Sequence, residues 1–166
     1  MSTIPVVSIP LRIQNVVNAK DGVLGQVAFV TGDGNVEVPR DYYSKKQQVT
    51  LRWDFSFAAD ASQTTKASKL KVNSIAFKQA GQRDYWFVVE PVTNSNHLFT
   101  PNAWLIADLS FAITFDTKFW YNGSDGNPEV FHYAVWFDDT TSGERFEDRS
   151  SDPTMRVSPP DDRPLP

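Results

Sequence analysis

His97 and His132 are the only two imidazoles in the chain, so acid–base chemistry or metal ligation by histidine near neutral pH would have to run through one of them. His132 shares a strand face with Ala134 and Trp136, opposite Phe131, Tyr133, Val135 and Phe137. Serine catalysis would need a histidine beside a serine and a carboxylate. The chain contains no Gly-x-Ser-x-Gly elbow, so no catalytic residue is assigned. A hydrolase built from loops around His97 and the acidic turns ranks third among the functional readings.

Oxygen ligands are better represented. Two segments share the pattern Asp-Gly-Asn-x-Glu-Val, namely Asp33, Asn35 and Glu37 in the first and Asp125, Asn127 and Glu129 in the second. Alternate residues can turn inward on a hard cation, so calcium is the metal such a loop would take. Asp138, Asp139, Glu144, Glu147 and Asp148 could add carboxylates. Neither segment carries the later glutamate of an EF-hand, and Asp-Gly-Asn is also an ordinary tight turn. The turn reading takes precedence, and no cofactor is required.

Aromatic residues offer a third chemistry. Phe119, Trp120 and Tyr121 run into Asn122-Gly123, and Trp136 lies on the side of its strand away from the alternating core set. Flat rings beside Asn and Asp suit stacking on a sugar, and the same rings anchor protein contacts. Trp120, Tyr121, Asn122, Trp136 and His132 are therefore the candidate ligand or partner residues.

These side chains must be positioned by strands. Val49, Leu51, Trp53, Phe55 and Phe57 alternate with Thr50, Arg52, Asp54 and Ser56, a period of two that places one set inside and the other outside. The same beat predicts strands over 7–14, 23–31, 48–58, 70–79, 85–92, 105–116, 129–138 and within 145–157. Pro5 and Pro10 push the first to a sheet edge. The segment 85–92, apolar on both faces, reads as a central strand. Residues 35–47 and 59–69 read as loops, as does 93–101 with Asn94, Ser95, Asn96 and His97. The predicted fold is an all-β antiparallel sandwich of immunoglobulin-like character with about eight strands, and a barrel is the alternative. The closing pattern from Phe131 to Phe137, followed by Asp152-Pro153-Thr154-Met155-Arg156-Val157, resembles the last two strands of bacterial immunoglobulin-like sandwiches. That likeness covers under a fifth of the chain.

Composition sets the outer limits. The 166 residues, 40% hydrophobic and 13% aromatic, suit one domain over 1–157, with 158–166 as a proline-rich extended or disordered tail. With no cysteine, disulfides and thiolate chemistry are excluded. Residues 1–83 carry 11 Lys+Arg against 6 Asp+Glu, and residues 84–166 carry 5 against 14. The basic residues are scattered rather than gathered, which argues against nucleic acid as a partner. No apolar run approaches the length of a membrane span, and the first residues lack a signal-peptide pattern. The expectation is a soluble cytoplasmic protein, with leaderless export or release as the alternative. Functionally, the sequence favours a non-catalytic binding or assembly module that associates with itself or another protein. A lectin-like glycan binder is the alternative.

Overall fold

The computed structural model describes residues 6–18, 20, 22, 24–38, 48–63, 69–79, 87–91, 102–116, 129–148 and 153–157. These residues form eleven strands and no helix: β1 (Val6–Val17), β2 (Gly25–Phe29), β3 (Val36–Val38), β4 (Gln48–Gln63), β5 (Leu70–Gln79), β6 (Phe87–Val89), β7 (Asn102–Ala107), β8 (Ser110–Asp116), β9 (Glu129–Asp139), β10 (Arg145–Asp148) and β11 (Thr154–Val157). Among them no helix is long and apolar enough to cross a membrane.

All eleven belong to one sheet. Its path runs β3-β11-β9-β10-β2-β1-β4-β8-β7, and β5 pairs with β9 and with β6. The all-β expectation holds, but the eight-stranded antiparallel immunoglobulin-like arrangement is not what the pairing shows. β1–β4, β2–β10 and β3–β11 are parallel, within an otherwise antiparallel ladder.

The alternation in β4 decides the inside. Val49, Leu51 and Trp53 are fully buried and Phe55 nearly so, while Phe57 packs against the core from its margin. Trp53 sits at the centre, with ring centroids 6.3 Å from Phe77 on β5, 6.3 Å from Phe111 on β8 and 5.8 Å from Tyr133 on β9. Three strands separate β4 from β9 along the ladder, which in a flat sheet would set them about 19 Å apart at ~4.8 Å per strand. The 5.8 Å contact means that the sheet folds over and packs its inner face on itself. Phe55 on Phe137, at 5.1 Å and nearly perpendicular, makes the same crossing. Val72 of β5 donates its N–H to Asp108 O at 2.8 Å, which ties the β7–β8 turn to the other end of the path.

Several sequence expectations need correction. β1 is interior to the path rather than an edge strand, because β2 covers its second half and β4 its whole length. Arg12 shows how Pro10 is tolerated there. Arg12 accepts from Val30 N–H and donates its own N–H to Asp33, both on the β2 side. Pro10, two residues earlier, faces the same way, so its missing N–H leaves the β4 ladder intact. β4 runs through 59–63, read as loop, because a bulge restores pairing: Ile13 faces Phe57, and Asn15 faces Ser62. β3 was missed because three residues carry too little periodicity.

β6 is not central, since β5 is its only ladder neighbour among the described residues and Val88 is exposed. The segment 105–116 is a hairpin rather than one strand, turning at Asp108-Leu109. No glycine or proline marks that turn. The carbonyls of Asp108 and Leu109 instead accept from Val72 and Phe55 at 2.8 Å each, so tertiary hydrogen bonds hold it. The last segment divides into β10 and β11, both of which pair with β9.

Candidate interaction surface

Of the expected site residues, Trp120, Tyr121, Asn122, Asp125 and Asn127 lie outside the described residues, as does His97. Glu129 opens β9, its backbone paired with Val157.

The first Asp-Gly-Asn segment acts as a clamped turn. Asp33 receives the Arg12 backbone N–H at 3.0 Å and the guanidinium at 2.9 and 3.0 Å. Hydrogen bonding from Arg12 holds the Asp33 carboxyl below its ordinary range, against a smaller opposing effect of burial. Asn35 Oδ1 accepts from the Thr154 N–H and hydroxyl at 3.0 and 3.1 Å. Glu37 is exposed on β3. Asp33 and Asn35 are thus drawn to different strands, β1 and β11. Among the described residues no three acidic or histidine side chains gather as a metal site.

Gly34, between those two anchors, has φ +88° and accepts the Tyr133 hydroxyl at its carbonyl. A Cβ there would stand 2.7 Å from Leu11 and 2.9 Å from the Tyr133 oxygen. Burial pushes the Tyr133 phenol far above its ordinary range. The Trp53 indole N–H pulls the other way without closing a full hydrogen bond, and the Asp148 charge adds to the rise. The phenol is therefore a donor at any physiological pH.

His132 and Trp136 do share the outward face of β9, both half-buried. The Trp136 indole N–H donates to Glu147 Oε2 at 3.2 Å, which fixes the ring by its edge. The acidic residues nearby are dispersed. Asp138 accepts from Asn73 at 2.7 Å and from Arg145 at 3.3 Å, and Glu144 accepts from Asn18 at 2.8 Å. Asp139 accepts the Thr141 N–H at 2.8 Å, which lowers its pKa and caps the turn.

More exposed apolar surface lies on β7, where the sequence reading assigned no site. Trp104 and Ile106 are 38% and 44% exposed on the outward face, while Ala103 points into the core. β8 is the only ladder neighbour of β7 among the described residues. The strand Asn-Ala-Trp-Leu-Ile-Ala carries no charge, lacking the lysines and prolines with which sheet edges are ordinarily blunted. Beside it, Arg52 Nε reaches both Asp54 carboxylate oxygens at 3.2 and 3.1 Å, and Ser110 donates to Asp54 Oδ1 at 2.6 Å. The Thr50 and Thr114 hydroxyls meet at 2.7 Å. The residues from Trp104 to Ile106 were legible as an apolar run, but reading 105–116 as one strand hid the edge they form.

No protein-family model, curated protein or solved structure matches the chain.

Proposed function

We propose that this protein is a non-catalytic binding and assembly module, a folded-over, sandwich-like sheet that associates with a second copy of itself through β7. The observation that carries this reading is that β7 is uncharged, has β8 as its only ladder neighbour among the described residues, and leaves Trp104 and Ile106 exposed. Two copies of β7 running antiparallel make an isologous two-fold contact, in which no like charges from the strand oppose each other. The outward rings and the edge of β7 that no described strand covers then continue one sheet into the next.

The contact is small. Six residues span only about 20 Å, so a contact along this one edge buries well below the ~800 Å² per partner of a standard interface. Association through so small a contact is expected to be weak and therefore to depend on concentration. Sedimentation velocity over a hundredfold concentration range tests it. The weight-average mass should rise above the 18.7 kDa monomer for the wild type. Ile106→Lys, which adds a charge to each copy of the edge, should remain monomeric while keeping its strand circular dichroism. A monomer at every concentration for both proteins would end this reading.

A further inference from the structure

The outward face beside β7 carries a second arrangement, which shares Trp104 with the proposed edge contact but needs none of the edge's backbone groups. Trp104 is registered with Ala112 of β8, and Ala112 with Arg52 of β4, so the three form one cross-strand row on the same face. Ala112 is buried although it faces outward, so the face offers a ligand only the side chains that wall it on either side. One wall is the exposed indole. The other is Arg52, held to Asp54 through both carboxylate oxygens, and the next row along adds Ser110, bonded to Asp54. The Arg52 and Asp54 side chains are 42% and 43% exposed, so both keep polar atoms toward solvent.

We propose that this face binds a neutral glycan, with one sugar ring stacked on Trp104 and a neighbouring ring hydrogen-bonded by Asp54 and Arg52. A pyranose has an apolar C–H face that suits an indole, and hydroxyls that donate and accept together. Asp54 supplies the acceptor and Arg52 the donors for such hydroxyls. The two charges compensate each other, which favours an uncharged sugar over an anionic one. The Trp104 and Arg52 backbones stand two strand spacings apart, about 10 Å, so a ligand that meets both side chains from above runs across β8 and is an oligosaccharide. The site shares Trp104 with β7 but does not use Ile106, so Ile106→Lys leaves it in place.

Calorimetric titration of the full chain with cellohexaose, chitohexaose, mannohexaose and laminarihexaose tests the proposal. At least one should bind. Trp104→Ala should weaken that binding at least tenfold and Asp54→Asn or Arg52→Met severalfold, with Trp136→Ala leaving it unchanged. Thermal melts establish that each variant is folded. If Trp104→Ala does not fold, the two polar variants decide the matter. No binding of any of the four sugars overturns the proposal, as does binding that survives Trp104→Ala or survives both polar substitutions.

Discussion

Removing one oxygen, in Tyr133→Phe, should destabilise the fold far more than a conservative change on a strand ordinarily does. The Tyr133 hydroxyl donates to the Gly34 carbonyl across 99 residues of chain, and both residues are buried. Phenylalanine fills nearly the same space but leaves that carbonyl without its donor, at a cost of about 1–3 kcal/mol. Taking ~2 kcal/mol, and 2–4 °C per kcal/mol for a chain of this size, Tm should fall by about 4–8 °C. Urea unfolding followed by circular dichroism and tryptophan fluorescence should show a lower midpoint with an unchanged slope. The pH dependence is a second readout. The folded-state pKa of Tyr133 is raised, so its contribution is fully present below the unfolded value of about 10 and is lost as pH climbs above it. Wild type should therefore lose about 1.4 kcal/mol per pH unit there that Tyr133→Phe does not lose. A Tm within 1 °C of wild type, or identical alkaline slopes, would refute the hydrogen bond as a tie between β9 and the Thr31–Gly34 turn.

Gly25→Ala should cost about 2–3 kcal/mol in urea, because the new Cβ would stand 2.4 Å from Phe146 Cδ1 and that ring is fully buried. Asp33→Asn should lower stability by about 1 kcal/mol at pH 7, since the Arg12 pair is half-exposed but the same carboxylate also holds a backbone N–H. The depressed pKa of Asp33 makes its contribution present above the unfolded carboxyl value and lost as pH falls through the folded one. Acid titration of the two proteins should therefore converge at low pH.

The sequence announced the strands whose core-facing alternation runs long and concealed short ones such as β3, although Val36 and Val38 are buried. β4 and β5 were legible because burial imposes a strict period of two on residues such as Val49, Leu51, Trp53 and Phe55. Their pairing was not, since parallel partners such as β1 and β4 are joined through a long stretch of chain rather than by any local turn. The β7–β8 hairpin was hidden for a related reason: its turn is held by Phe55 and Val72, residues from other strands, instead of by glycine or proline. Asp33 and Asn35 were singled out as oxygen ligands for calcium, and in the structure their oxygens accept from side chains of the protein itself. Their partners, Arg12 and Thr154, are 21 and 119 residues away, and no spacing rule reaches that far. Trp136 was placed rightly on the outer face, yet its indole N–H is engaged by Glu147, and Trp104 offers the more open ring.

Amide hydrogen exchange at two protein concentrations, one where the chain is monomeric and one above the dissociation constant, tests the assembly reading at its source. The backbone N–H groups on the outer edge of β7, between Asn102 and Ala107, should become slower to exchange as concentration rises, and those of Ile106→Lys should not. Protection gained instead along β6 or β3, or at no strand edge at all, would contradict the account.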